Sequence, residues 1–172
     1  MDLMKKLNRD DVKELFSKNW LTHDAMWYGS CMQELGPERA NQLNRRAVRL
    51  MAAIEIKRVM KLMDKPKGVT IKTFDELAEI IETAFRLVQT SFLTFDFSFP
   101  EKNLLRGRFN ECFAHNGVEK FGMIADYECG IVERVKGWLD SIGVTYNMIP
   151  DFTGCLMYQN GTCEVNFRFD LD

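Results

Sequence analysis

The spacing of apolar residues changes near Ser91, and this change constrains the fold more than any other feature of the sequence. Before Ser91, apolar residues recur at the three-to-four-residue spacing of helices. After it, Phe95, Phe97 and Phe99 alternate with polar residues, as in a half-buried strand. The sequence therefore predicts a helical N-terminal part followed by a part that contains a sheet.

The residues at the ends of the helical segments fix where the N-terminal helices start and stop. Gly36 suits the left-handed position after a helix end, and Pro37 suits the first turn of the next helix. Thr73 and Glu76 fit a capping box. The predicted helices cover about residues 8–16, 22–35, 37–63 and 73–88.

The remainder of the chain alternates strands with one further helix. The predicted elements are a hairpin over 91–110, a helix over 126–142, a strand over 144–149 and a closing hairpin over 151–169. Helices that are segregated from an antiparallel sheet make an α+β fold. We expect a single domain over residues 1–172, with a helical part over 1–90 and the sheet over 91–172, in which the helices pack on the sheet.

Charge and cysteine content exclude several classes of function. The net charge is −2 and no basic run stands out, so no nucleic-acid partner is expected. No apolar run approaches the ~20 residues of a membrane span, and the first residues lack the apolar core of a signal peptide. We therefore expect a cytoplasmic protein without a membrane partner. Five cysteines then indicate buried thiols or metal ligands rather than disulfides.

The chain is rich in two residue types that form adaptable apolar interiors, with 13 Phe and 10 Met. Such side chains fill a core or line a ligand pocket. For the pocket alternative we predict that a small apolar or aromatic ligand contacts Trp27, Phe95, Phe97 and Trp138.

Three cysteines can meet if the closing segment folds as predicted. Cys129 lies on the apolar stripe of the fifth helix, near its N-terminus, where the helix dipole favours the thiolate. Cys155 and Cys163 lie on opposite arms of the predicted closing hairpin. They share one face only if Gly161 is left-handed in a three-residue loop.

Three thiolates would leave one tetrahedral position on a zinc ion. The nearest carboxylate is Asp151, and Glu128 and His115 are the alternatives for this position. The other interpretation of the cysteines is that they are small buried apolar residues.

The C-terminal pattern resembles the end of the 4-vinyl-reductase-type ligand-binding domain. The residues that carry this resemblance are Cys129, Gly137, Trp138, Cys155, Gly161, Cys163 and Phe167. The resemblance implies a structural zinc ion on Cys129, Cys155 and Cys163 beside an apolar pocket, and a homodimer. The acidic ligand of that family falls at Phe152 here, and Asp151 is the neighbouring carboxylate.

The N-terminal half resembles a family of uncharacterised bacterial cytosolic proteins through residues 23–28, residues 34–36 and the helix from Ile54 to Arg58. A related branch contains aminothiazoline carboxylate hydrolases. This branch implies one alternative to a binding domain, a hydrolase that uses Cys155 or His23. A second alternative is a protein–protein interaction module in which the long helix and an edge strand form the contact.

Overall fold

The computed structural model describes residues 6–66 and 68–172. The start of the N-terminal stretch that we inspected for an export signal, residues 1–5, lies outside this part. Five α-helices and four strands are described: α1 Arg9–Leu62, α2 Phe74–Val88, β1 Asp96–Glu101, β2 Leu104–Phe109, α3 Phe113–Lys120, α4 Gly130–Ser141, β3 Tyr146–Ile149, α5 Leu156–Asn160 and β4 Cys163–Phe169. No helix in the part of the chain described is both long enough and apolar enough to cross a membrane.

Helix α1 consists of two limbs that fold back on each other at Gly36. The backbone of Gly36 has φ 75° and ψ 167°, a conformation that glycine adopts without steric cost. The hydroxyl of Tyr28 donates a hydrogen bond to Oδ1 of Asn41 at 2.9 Å. In a straight helix these residues would be about 20 Å apart. The break predicted at Gly36 and Pro37 is present, and we define the N-terminal limb as residues 9–35 and the C-terminal limb as residues 37–62.

The start of α1 differs from the prediction of two short helices over 8–16 and 22–35. One uninterrupted limb begins at Asn8, whose side chain accepts a hydrogen bond from the backbone N–H of Asp11 at 2.8 Å. The Asp11 carboxylate accepts the N–H of Asn8 in return at 3.0 Å. No glycine or proline interrupts residues 9–28, and the helix therefore continues through the predicted gap.

The four strands form one antiparallel sheet in the order β1-β2-β4-β3. The predicted alternation of the phenylalanines holds: Phe95, Phe97 and Phe99 are half-buried, and the polar residues between them are exposed. Helices packed on an antiparallel sheet confirm the predicted α+β class.

The closing hairpin predicted over 151–169 is wrong. Residues Leu156–Asn160 form the short helix α5, and β4 pairs with β2 and β3 rather than with the preceding segment. Gly161 is left-handed, as predicted, with φ 70°, but it ends α5, and its N–H donates to the carbonyl of Met157 at 2.9 Å. Leu, Met and Gln favour helix, and burial of Leu156 holds the turn against the core.

The main core lies between α2, α4, the C-terminal limb of α1 and the sheet. Leu77, Ile80, Ile81 and Ala84 of α2 are fully buried, as their helical spacing predicts. Trp138 of α4 is also buried and joins this core. The capping box predicted at the start of α2 is present.

Helix α4 crosses the C-terminal limb of α1 at close range. A β-carbon added at Gly137 would lie 2.8 Å from Cβ of Ala52 and 3.2 Å from the Cα of Arg49. Only glycine permits this approach without a shift of one helix. Arg49 also bridges the two helices, since its Nε lies 2.6 Å from a carboxylate oxygen of Glu133.

Candidate functional site

A largely apolar cavity of about 260 Å³ lies between the two limbs of α1, α3 and α4. Its apolar wall includes Val48 and Met51 of the C-terminal limb, Val118 of α3 and Ile131 of α4. Its other lining residues are Trp20, Leu21, Asp24, Ala25, Tyr28, Asn44, Ala47, Phe113, Ala114, Gly117, Phe121, Met123, Tyr127, Gly130 and Arg134. A concave site of this composition suits an apolar ligand with a few polar atoms.

A buried asparagine ties the two limbs of α1 to the segment before α4. Asn41 is 3% exposed and accepts hydrogen bonds from the Tyr28 hydroxyl and from the backbone N–H of Glu128. Its amide nitrogen donates to the carbonyl of Asp126 at 2.6 Å. Because Tyr28 lines the cavity, this network fixes one corner of the cavity wall.

Arg134 lines the cavity with its charge already compensated. The Nε of Arg134 donates to Oε2 of Glu55 at 2.8 Å, and a second bond joins the same two side chains. The indole N–H of Trp138 donates to the same carboxylate at 2.8 Å. The guanidinium also lies over the rings of Trp20 and Trp138, at 5.2 and 5.5 Å from the ring centres.

Asp24 is the carboxylate that lines the cavity. Among the described residues it has no hydrogen-bond or ion-pair partner. The surrounding protein raises the pKa of the Asp24 carboxyl above its ordinary value, and the charges of His23 and Arg134 partly oppose this rise. His23 itself is exposed on the N-terminal limb.

The four residues predicted to contact a ligand lie outside the wall of this cavity. Trp27 is 64% exposed, and Trp138 is buried in the main core. Phe95 and Phe97 pack against Phe85, with ring centres 5.0 and 4.9 Å away, and they border a separate, more polar groove beside α2. Phe95 and Phe97 contribute to the main core because their rings contact Phe85 of α2. A ligand-binding role for these four residues stays a prediction.

The three cysteines predicted as metal ligands lie in one region of the molecule. Cys129 directly precedes α4, and its N–H donates to the carbonyl of Gly154 at 3.1 Å, beside Cys155. Cys163 begins β4 and pairs with Phe109 of β2. Cys112, interpreted as a core residue, is buried directly before α3.

Burial keeps the thiols of Cys129 and Cys163 protonated. It raises the pKa of Cys129 to about 12, and the neighbouring thiols of Cys112 and Cys163 add to the rise. Burial likewise raises the pKa of Cys163 to about 12, with smaller contributions from Cys112 and Cys155. The backbone N–H groups of Val132 and Ile131 lower the pKa of Cys129, as expected at a helix N-terminus, but burial outweighs them.

The side chains do not form a ready metal site. Within residues 6–66 and 68–172, no three His, Cys, Asp or Glu side chains are arranged to hold one ion. Asp151, the predicted fourth ligand, is exposed and lines a different groove with Arg45. Of the alternatives, Glu128 pairs with Arg45, and His115 is half-buried within α3 and contacts Asn116 at 3.1 Å.

Residues 5–137, which supply most of the cavity wall, match the family of unknown function designated DUF6125. The chain belongs to the DUF6125 family. None of the curated protein sequences matches it. The cavity of this DUF6125 protein therefore has to be interpreted from its own residues.

A solved structure shares the fold of the DUF6125 chain. It is a trafficking protein particle complex subunit 3 from Naegleria fowleri, crystallised covalently bound to palmitic acid. The TM-score is 0.55 at 13% sequence identity, over 91% of this chain and 96% of the other. At this identity the likeness shows a common fold.

Most of the residues that shape the cavity were not predicted from the sequence. Asn41, Glu55 and Arg134 were not predicted to belong to a site. The available signal was a set of charged and polar residues on the apolar sides of two helices, since buried polar groups require partners. The spacing within each helix does not reveal that Glu55 and Arg134, 79 positions apart, meet.

Proposed function

We propose that this protein binds a small, largely apolar molecule in the cavity between α1, α3 and α4. The apolar cavity of about 260 Å³ is the observation that carries this proposal. Its volume lies just below the range of about 300–1,000 Å³ that is typical of ligand sites, and its apolar lining is typical of them, so it suits a small ligand. The palmitic acid bound to the trafficking protein particle subunit supports a lipophilic ligand, since that protein has the same fold.

Binding of a neutral apolar dye such as Nile red tests the proposal. Gly117 lines the cavity, and a β-carbon there would meet no atom within 4 Å. Replacing Gly117 by Leu should therefore reduce the volume without disrupting the core, and should weaken dye binding about tenfold or more. Ala47 also lines the cavity, on the C-terminal limb of α1, so Ala47→Phe should likewise reduce the cavity volume and weaken dye binding.

The matched control for this experiment is Gly117→Ala, which adds one methyl group and should retain dye binding. Circular dichroism would establish that each variant is folded. Equal dye affinity of the wild type, Gly117→Leu and Ala47→Phe would contradict the proposal, because the dye would then be bound elsewhere.

A zinc ion on Cys129, Cys155 and Cys163, with Asp151 as the fourth ligand, is a separate proposal. It is supported by the resemblance to the 4-vinyl-reductase-type domain and by the location of the three thiols in one region of the molecule. Zinc would supply a structural cross-link between α4, α5 and β4. Metal analysis of the purified protein and cobalt substitution test it, and a protein without a thiolate-to-cobalt absorption band would refute it.

A protein–protein interaction module is the second candidate function. Helix α1 exposes several large apolar side chains, including Phe16 at 69%, Trp27 at 64% and Leu50 at 60%. Phe16 and Trp27 are eleven residues apart and therefore lie on one side of the N-terminal limb, and a contiguous exposed apolar patch is typical of interaction surfaces. Light scattering after size-exclusion chromatography would test self-association, including the homodimer, and Phe16→Ser with Trp27→Ser should reduce it.

We also propose that the chain is related to the 4-vinyl-reductase-type domain, that it forms a single domain and that it is cytoplasmic. The remaining alternative function is a hydrolase that uses Cys155 or His23. Assay of thiazoline carboxylate hydrolysis, limited proteolysis and cell fractionation directly test the hydrolase, the domain organisation and the location, respectively.

A further inference from the structure

The wall of the cavity contains one positively charged side chain that is paired with a carboxylate and one negatively charged side chain that has no partner among the described residues. Arg134 is held by two hydrogen bonds to Glu55 and covered by two indole rings. Asp24 lines the same cavity and has no partner among the described residues. The cavity therefore carries an excess negative charge at Asp24.

We infer that the ligand is an amphipathic amine, whose ammonium group pairs with Asp24 and whose apolar part packs against Met51, Val118 and Ile131. This inference rests on the proposed function, because it assigns a ligand class to the same cavity.

Electrostatics and lining chemistry support an ammonium group over a carboxylate. A carboxylate in the cavity would meet the negative charge of Asp24, and Arg134, whose charge already balances that of Glu55, would offer it only the remaining N–H groups of its guanidinium. Asp24 is exposed at the edge of the cavity, and a cation that binds beside it would lower the raised pKa of its carboxyl. Aromatic residues of the wall also attract cations through their ring faces.

Trp20 and Tyr28 supply such aromatic rings on the same limb as Asp24. Tyr28 is four residues after Asp24 and Trp20 is four residues before it, so all three lie on one side of the limb. The guanidinium of Arg134 already covers the ring of Trp20, so an ammonium group bound at Asp24 would have the ring of Tyr28 as its aromatic neighbour. The apolar part of the ligand would extend toward α3 and α4.

The test uses three compounds with one apolar body and different head groups: phenylbutylamine, phenylbutanol and phenylbutyrate. Each competes with Nile red for the full-length protein at low ionic strength, where charge effects are least screened. We expect the amine to bind about fivefold more tightly than the alcohol, and the alcohol about fivefold more tightly than the carboxylate, the order of a partly exposed ion pair.

Asp24→Asn should remove the preference for the amine and leave the alcohol unchanged. The matched control is Glu119→Gln, which removes the same charge from an exposed position of α3 outside the cavity wall and should preserve the preference. Alcohol binding also reports whether Asp24→Asn retains an intact cavity.

The outcomes separate this inference from the proposed function. If Nile red binds in the cavity but the alcohol or the carboxylate binds as tightly as the amine, the ligand class is wrong and the binding function stands. If Nile red binds and none of the three compounds displaces it, the inference also fails. If Gly117→Leu and Ala47→Phe leave dye binding unchanged, the cavity itself is not the site and both fail.

Discussion

One buried asparagine connects three parts of the chain that the sequence keeps far apart. Asn41 satisfies the Tyr28 hydroxyl, the N–H of Glu128 and the carbonyl of Asp126 with a single amide group. The bond from Tyr28 is buried, and the bonds to Glu128 and Asp126 are partly buried, so water replaces the asparagine incompletely at these groups. An unpaired buried polar group costs about 1–3 kcal/mol.

Replacing Asn41 by Ala should therefore lower the free energy of unfolding by about 3 kcal/mol. Urea unfolding followed by circular dichroism measures this value. Gln42→Ala changes the exposed neighbour of Asn41 and should alter the free energy by less than about 0.5 kcal/mol. Equal effects of the two substitutions would show that the asparagine network contributes nothing to stability.

The raised pKa values of Cys129 and Cys163 predict slow alkylation. With metal removed, iodoacetamide at pH 8 should modify these thiols far more slowly in the folded protein than in urea, because the reactive form is the thiolate. Mass spectrometry of the labelled peptides measures each site. Both side chains are half-buried, so rapid labelling of both sites in the folded protein would contradict the raised pKa values.

The same pKa values have a consequence for stability at alkaline pH. Both thiols have a folded-state pKa of about 12, above the ordinary value of 9.0. The protonated thiols thus stabilise the fold fully below about pH 9, and this contribution falls as the pH rises from about 9 toward 12. Cys163→Ala should reduce the slope of unfolding free energy against pH in that interval.

At the scale of elements, the crossing of α1 and α4 depends on the absence of a side chain at Gly137. Replacing Gly137 by Ala would place a methyl group 2.8 Å from Cβ of Ala52. We expect a loss of about 1–3 kcal/mol in the free energy of unfolding, since the helices must move apart.

Ala52→Gly in the Gly137→Ala background provides the control for this prediction. It removes the opposing methyl group and should recover part of the loss beyond what the two single substitutions predict by addition. If the changes in the free energy of unfolding of the two single variants simply add in the double variant, the side chains at positions 52 and 137 are not in steric conflict.

Short sequence motifs correctly predicted the start of α2 but did not predict α5. Thr73 and Glu76 could be recognised as a helix start because both hydrogen bonds of the capping box form within four residues. The segment between Cys155 and Gly161 contains too few residues for its periodicity to separate a helical turn from a strand. There the outcome depended on tertiary contacts, because burial of Leu156 and pairing of β4 with β2 decided it.

At the scale of the whole molecule, the cavity was beyond the reach of sequence patterns. Its wall combines Asp24, Val48, Val118 and Ile131, which come from both limbs of α1, from α3 and from α4. Periodicity shows which side of each helix is apolar but not how the helices are placed. The fold class followed from the order of elements, whereas the position of the cavity required the geometry of the turn at Gly36.

Ligand binding should be visible as a change in the stability of the whole chain. A molecule that binds only the folded state raises the free energy of unfolding by about 2.7 kcal/mol at a concentration 100 times its dissociation constant. We expect an increase of this size for wild type with its tightest ligand, and much less for Gly117→Leu at the same concentration. Thermal unfolding with and without ligand measures the difference, and an equal shift in both proteins would place the ligand outside the cavity.

The break at Gly36 affects the width of the cavity, although Gly36 itself does not line it. The backbone angles of Gly36 set the angle between the two limbs of α1, and both limbs line the cavity. A small rotation at this one residue would change the separation of the limbs while every contact residue remained the same. A substitution that alters this hinge would therefore change the dimensions of the cavity and leave the chemistry of its wall unchanged.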